Sequence, residues 1–290
     1  KHKLEEGADH MKKGLVLEGG AMRGVYTAGV LDVLMEKGIE ADGVVGVSAG
    51  AVFGCNYISR QIGRTIRYNI KYCRDPRYGD FRSLFKSGDI YEEEFCYYEL
   101  PEKLDPFDWE AYRQSTTPFY VTCTDVDTGR AVYHKCTGEK EDLRWMQASA
   151  SMPFVSRTVE IGGRRLLDGG ISDSIPVDWF RGMGYEKNLV VLTRPKGYRK
   201  KPPKGLHVLK RMIRQHPALA LAVKTRHIRY NQTLERLAGL EKSGMALVLR
   251  PSRRIRVSKL ERRPGRLMAL YKLGRQDTLR RLEEIQAFFS

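Results

Sequence analysis

The pentapeptide Gly46-Val47-Ser48-Ala49-Gly50 directly follows the apolar run Val44-Val45 and opens the helix-like stretch Ala49 to Ile58. A strand that turns straight into a helix at a serine leaves the backbone few options. The serine is pushed out of the sheet with its hydroxyl exposed. Gly46 and Gly50 are needed because any side chain there would meet the neighbouring strand and helix. The turn also aims the helix N-terminus at whatever the serine binds, which favours a developing negative charge. The bland alternative is a tight turn with an incidental serine, and the rest of the chain has to decide.

Upstream, Gly14-Leu15-Val16-Leu17 reads as a short buried strand running into Glu18-Gly19-Gly20-Ala21-Met22-Arg23-Gly24. A helical pattern follows, with Ala28, Leu31, Leu34 and Met35 on one face and Gly38 as its C-cap. A glycine-rich loop between strand and helix presents several backbone N–H groups to one point, which makes an anion cradle. Downstream, Leu166-Leu167-Asp168-Gly169-Gly170 ends another apolar run in a carboxylate followed by two glycines. A carboxylate at a strand end, with no side chains after it to block access, suits a general base or an orienting group.

In this order the three motifs resemble the patatin-like phospholipases, serine acyl hydrolases that use a Ser–Asp dyad. The resemblance covers about Lys13 to Thr193. It extends to Phe119-Tyr120-Val121-Thr122-Cys123-Thr124-Asp125 followed by Thr128-Gly129, to Ala148 through Pro153, and to Asp168 through Pro176. It implies a three-layer α/β/α sheet, with Ser48 as nucleophile and Asp168 as base. Gly19, Gly20, Ala21, Arg23 and Gly24 would form the oxyanion loop, Gly46 and Gly50 the elbow, and Gly169 and Gly170 the dyad loop. The family usually has three consecutive glycines in the oxyanion loop, and here the third is Ala21. Alanine suits a loop that acts through main-chain N–H groups if its φ is negative. Asp125 and Asp173 read as turn or cap residues.

At 290 residues and 41% hydrophobic content the chain can bury a substantial core. No stretch approaches the roughly 18 uninterrupted apolar residues of a membrane span. Lys1 to His10 is charged and lacks the apolar centre of a secretory signal, and Met11 could be a native start. Five cysteines without a CxxC pair make zinc ligation and a disulfide framework poor readings, and fit reduced thiols in a cytoplasmic chain. The resemblance to patatin-like phospholipases implies no metal or organic cofactor.

Charge divides the chain. Residues 1–193 hold 25 Lys+Arg and 29 Asp+Glu, whereas residues 194–290 hold 26 and 6. The change falls near Pro195, in the basic stretch Pro195-Lys196-Gly197 to Lys200-Lys201-Pro202-Pro203-Lys204-Gly205. The expected division is therefore a catalytic domain over 13–193 and a basic, mainly helical C-terminal extension over 194–290. The strand candidates are Gly14–Leu17, Val44–Val47, Phe119–Asp125, Val132–His134, Thr158–Ile161, Arg165–Leu167 and Leu189–Thr193, with a hairpin turn at Ile161-Gly162-Gly163-Arg164. In the extension, Leu206 to Leu240, with Leu209 and Ile213, reads as helix and Met245 to Leu249 as a strand. A last helix carries the stripe Leu267, Tyr271, Leu282, Ile285 and Phe289, which either packs on the catalytic domain or meets a partner. Aromatics crowd the stretch Tyr68 to Trp109, including Tyr72, Tyr78, Phe81, Phe85, Tyr91, Phe95, Tyr97, Tyr98 and Phe107. They could wall an acyl chain over the serine or pack as ordinary surface helices.

A serine hydroxyl needs a base to attack an acyl carbonyl. In a Ser-His-Asp α/β-hydrolase that base would be His207, His216 or His227, but that fold usually places its elbow after several strands, and Ser48 follows the second. The resemblance gives the role to Asp168 directly. Such a site cleaves carboxylic esters or thioesters of phospholipids or related acyl lipids through an acyl-enzyme. The basic third would favour peripheral contact with an anionic membrane, at about 1 kcal/mol per basic residue near the surface. Nucleic acid is the weaker partner, since no motif for it is present. A nucleotide site on Gly19–Gly24 lacks the second glycine of GxGxxG, which is Ala21, and the GK[ST] of a P-loop. The last alternative is a catalytically inactive lipid-binding module.

Overall fold

The structure, a computed structural model, describes residues 11–78, 92–153, 156–203 and 214–290. Within them, eight strands form one mixed sheet: β1 (Lys13–Leu17), β2 (Gly43–Val47), β3 (Phe119–Asp125), β4 (Ala131–Lys135), β5 (Val159–Ile161), β6 (Arg164–Asp168), β7 (Lys187–Val191) and β8 (Ala246–Leu249). The order is β5-β6-β3-β2-β1-β7-β8, with β4 paired to β3 off this path. β3, β2, β1, β7 and β8 run parallel to one another, while β4 and β6 pair antiparallel with β3. All five residues of β1 and of β2 are buried, as a sheet covered on both faces requires.

Side chains alternate between the two faces, so each strand feeds two cores. Leu15, Leu17, Val44 and Val121 point to the side covered by α1 (Val25–Glu36), α2 (Ala49–Ile58), α3 (Arg64–Tyr72) and α5 (Asp142–Ala150). Val16, Val45, Tyr120 and Val190 point to the other, where Phe180 of α6 (Val177–Gly182) and Tyr230 and Leu237 of α7 (Pro217–Lys242) cover them. A short α4 (Trp109–Gln114) and a π-helical stretch, Glu94–Leu104, pack at the edge of the first layer. The three-layer α/β/α architecture and the helical C-terminal extension are both present.

The extension contributes to every layer. β8 lengthens the sheet, α7 covers one face, and α8 (Pro264–Arg280) and α9 (Leu282–Phe289) join the core on the other. The expected last helix breaks at Arg281 into these two. Leu267 and Ile285 are fully buried in the shared core, and the Tyr271 hydroxyl donates to Asp32 at 2.7 Å. A side chain on Gly274 would strike the Tyr26 carbonyl, so α8 and α1 meet backbone to backbone. The change of charge near Pro195 is thus not accompanied by a break in the core. Leu206, Leu209 and Ile213 of the expected extension helix, and Phe81, Phe85 and Tyr91 of the aromatic stretch, lie outside the described residues, as do His2, His10 and His207.

Candidate active site

Ser48 occupies the single position between β2 and α2, with φ 54° and ψ −121°. Non-glycine residues pay a steric cost at positive φ, so the surroundings must hold it there. The Ser48 carbonyl accepts from Ala51 N at 2.9 Å and Val52 N at 3.0 Å, which starts the helix. The Ser48 N–H donates to Ser149 Oγ at 2.8 Å, and that hydroxyl donates to the Thr122 carbonyl at 2.6 Å. A Cβ on Gly46 would come within 2.6 Å of Ala51 N, and one on Gly50 would strike the Leu17 carbonyl. Both elbow glycines therefore stand where the backbones touch.

Asp168 ends β6, two strands from Ser48 across β3, opposite Cys123. Its N–H donates to the Ser151 carbonyl at 2.7 Å, and its carbonyl accepts from Thr124 Oγ1 at 2.9 Å. Oδ1 accepts the Gly170 N–H at 2.7 Å, so the loop Gly169–Ile171 folds back on the carboxylate. The third element is the turn Ala21–Gly24 after β1. Ala21 has φ 48°, in the left-handed region, where the sequence reading required a negative value. The loop keeps a conformation suited to glycine even though its third glycine is gone.

Two cavities meet at Ser48. One, of about 100 Å³, is apolar and runs between Val52, Phe53, Tyr68, Phe107, Leu143 and Met146. Tyr78 and Tyr97 also line it, whereas Phe95 and Tyr72 are core residues behind them. The other, of about 680 Å³, is bounded by Gly19, Gly20, Ala21, Arg23, Asp168 and Gly170 on one side and by residues of the extension on the other. Ser48, Ala21 and Met152 belong to both. Gly24 and Gly169 stand behind this surface, packed against Ala49 and the Thr122 carbonyl.

Consecutive residues of α7 hold the two loops that flank the serine. Arg229 donates to the carbonyls of Ile171 at 2.9 Å and Ser172 at 3.2 Å. Tyr230 donates its hydroxyl to Glu18 Oε1 at 2.7 Å, deep at the root of the Gly19–Gly24 loop. Glu18 is 4% exposed, and its Oε2 accepts the Thr193 N–H at 2.6 Å.

A family model, patatin-like phospholipase, matches residues 15–180, which contain the elbow, the loop and the aspartate. The chain belongs to this family. The chain is 30% identical over 191 residues to the uncharacterized protein YjjU of Escherichia coli, a stretch that covers 62% of this chain and 52% of that one. It is 27% identical over 206 residues to lysophospholipase nte1 of Aspergillus niger, covering 63% of this chain and 12% of that one. An uncharacterized NTE family protein of Mycobacterium bovis is 26% identical, with 64% and 50% covered. The matched stretch thus spans about half the length of the bacterial relatives and far less of the fungal one. Beyond the patatin-like domain, residues 216–290 match a domain of unknown function, DUF6363. The crystal structure of VipD from Legionella pneumophila aligns over 94% of this chain and 67% of that one, with a TM-score of 0.46 and 13% identity.

The lesser carboxylate candidates and the histidines occupy different places. Asp125 caps its own turn, accepting from Asp127 N and Thr128 N at 2.9 Å. Asp173 accepts from Tyr133 at 2.8 Å, and burial raises its carboxyl above the ordinary range. His134 stacks on Trp145 and sits 3.1 Å from Asp142. With Cys136 these form a three-donor cluster. However, Asp142 already accepts from Tyr112, Thr137 N and Gly138 N, and burial pushes the Cys136 thiol well up, so the set is poorly suited to a metal. His227 lines the large cavity, but its Nδ1 faces the Lys224 carbonyl at 3.0 Å.

Sequence reasoning assigned no role to Glu18, Ser149, Arg229 or Tyr230. Glu18 carried a signal, because a lone carboxylate between a buried strand and a glycine loop must find partners. The α7 residues carried none, since their register against the loops depends on tertiary packing.

Proposed function

We propose that this chain is a serine hydrolase of lipid acyl esters, with Ser48 as the acylated nucleophile and Asp168 as its base. The observation that carries this reading is the strained elbow at Ser48, opening on one cavity with Asp168 and the Gly19–Gly24 loop and on a second, apolar cavity suited to an acyl chain. Asp168 takes the Ser48 hydroxyl proton as Oγ attacks the acyl carbonyl. The N–H groups of Gly20 and Ala21 face the developing oxyanion, at roughly 3 kcal/mol for each well-aimed donor. The leaving alcohol departs with that proton; water, deprotonated by Asp168, then attacks the acyl-enzyme, and Asp168 returns the proton to Ser48 Oγ as the carboxylic acid leaves. The lysophospholipase name carried by fungal relatives is in keeping with this substrate class.

A histidine-based triad has one point in its favour, the presence of His227 at the cavity. A triad needs the carboxylate to hold the imidazole at Nδ1. Here Nδ1 faces a main-chain carbonyl and Asp168 holds the Gly170 N–H, which favours the dyad. Labelling with a fluorophosphonate tests the reading, since only an activated serine reacts. Label is expected on the native chain and not on Ser48→Ala; equal labelling of both would end the assignment.

None of the described helices is long and apolar enough to cross a membrane. The excess of Lys and Arg after residue 193 supports peripheral contact with anionic lipid. Sedimentation with anionic vesicles should then weaken steeply with salt, because exposed charges are screened within about 8 Å at physiological ionic strength.

A further inference from the structure

We infer that the far end of the large cavity is a headgroup subsite, built mainly by the extension, that selects acyl esters whose alcohol carries a phosphomonoester. The inference rests on Ser48 being the acylated residue. Arg194, Lys200, Lys201, Arg226 and Lys259 come from the extension to line this cavity, joined by Arg23 from the oxyanion loop. Two carboxylates face them there, and both are engaged: Glu18 by Tyr230 and Thr193, Asp168 by Gly170. Positive charge is therefore concentrated inside the active cavity and not only on the outer surface.

The arrangement is built and held. Lys200 is fixed at its backbone by Asn231, which accepts from its N–H at 2.9 Å and donates to its carbonyl at 3.0 Å. Its ammonium lies 4.4 Å from the centre of the Tyr230 ring, and Arg194 lies 4.5 Å from that of Tyr198. The Nε atoms of Arg23 and Arg226 are buried with no hydrogen-bond partner among the described residues. Burial and neighbouring cations lower the ammonium of Lys200 to about 7 and depress that of Lys259, the penalty that a bound anion relieves. Buried donors with no acceptor, in a chamber whose cations outnumber its two carboxylates, call for an anion.

Position makes that anion part of the substrate. The apolar and the cationic cavities are both lined by Ser48, so an ester held there has the first for its acyl chain and the second for its alcohol. A choline headgroup would set its own cation among these side chains, whereas a phosphomonoester dianion meets six cationic side chains against the two carboxylates of Glu18 and Asp168.

The experiment compares two short-chain lysolipids kept as monomers without vesicles, so that surface attraction plays no part. One carries glycerol 3-phosphate and the other glycerophosphocholine. The native chain should favour the first by at least about tenfold in kcat/KM, mostly through KM. Lys200→Gln with Arg226→Gln should bring that ratio close to one, while Lys200→Arg should retain it. Inorganic phosphate should compete with the phosphomonoester substrate. Equal kcat/KM for the two lysolipids overturns the subsite. So does phosphate that binds by calorimetry but does not compete, because the cavity would then serve the free ion. If the double variant does not fold, the native ratio and the competition decide. Absence of p-nitrophenyl ester hydrolysis by the native chain would instead remove the serine hydrolase reading beneath it.

Discussion

Ser149 holds Ser48 in place: its hydroxyl accepts from the Ser48 N–H at 2.8 Å and donates to the Thr122 carbonyl at 2.6 Å. Two residues later the Ser151 carbonyl receives the Asp168 N–H. The end of α5 is thus a brace between the candidate nucleophile and its base. Ser149→Ala leaves a buried N–H without an acceptor, at a cost of about 1–3 kcal/mol. Both Tm and kcat should fall, as thermal unfolding and ester hydrolysis will show. A variant with native stability and turnover would deny the brace its role.

Asp168→Asn keeps the shape of the side chain and removes its basicity. Turnover of a p-nitrophenyl ester should drop by about a thousandfold or more, in line with the combined loss of base and nucleophile activation. His227→Gln should cost far less. If the two substitutions cost the same, the base is shared with an imidazole and the dyad assignment fails.

Ala21 adopts a left-handed backbone that costs an L-residue about 1–2 kcal/mol. Ala21→Gly removes that cost but gives the unfolded chain about 0.4–1 kcal/mol of added freedom, so stability should stay level or rise slightly. Ala21→Val adds a branched side chain at the same φ and should lower both Tm and turnover. Denaturant titration of the two variants checks the order Gly ≥ Ala > Val.

Lys200 makes headgroup selection depend on pH. Burial first, then Arg226, lower its ammonium from 10.5 to about 7, assisted by Arg23 and Arg194 and opposed by Glu18; the Tyr230 ring covers it. Below about 7 it is charged, so kcat/KM for the phosphomonoester lysolipid should decline as pH rises through that value, with Lys200→Arg abolishing the decline. Stability moves the other way. Between about 7 and 10.5 the unfolded chain binds a proton that the folded chain does not, so this contribution grows with pH and is lost as pH falls through about 7.

Much of the architecture was legible because the strands are short apolar runs between glycine-rich turns, and each run had one plausible reading. Val44 to Val47, Phe119 to Asp125 and the hairpin at Gly162-Gly163 belong to this group, and the motifs around Ser48 and Asp168 sit on strand ends for the same reason. The sequence could not show what lies across space from a loop. Glu18 and Tyr230 are 212 residues apart and meet in one hydrogen bond. The last helix was expected to be continuous because its apolar stripe passes through Arg281, yet the chain breaks there and the Arg281 guanidinium reaches the Val248 carbonyl at 2.7 Å. Likewise, the sign of the φ angle at Ala21 is set by the turn around it and not by alanine's own preference.

The adjacent pair Arg229 and Tyr230 reaches one flanking loop with the first residue and the other with the second. Chemistry and selectivity on this chain are therefore not freely interchangeable modules. A graft that kept the first half and replaced the second to recognise another alcohol would also have to supply a hydroxyl for Glu18, a donor for the Ile171 carbonyl and a parallel strand for β7. Engineering of the substrate range should start inside the existing helix, changing residues that face the chamber and sparing the two that anchor its walls.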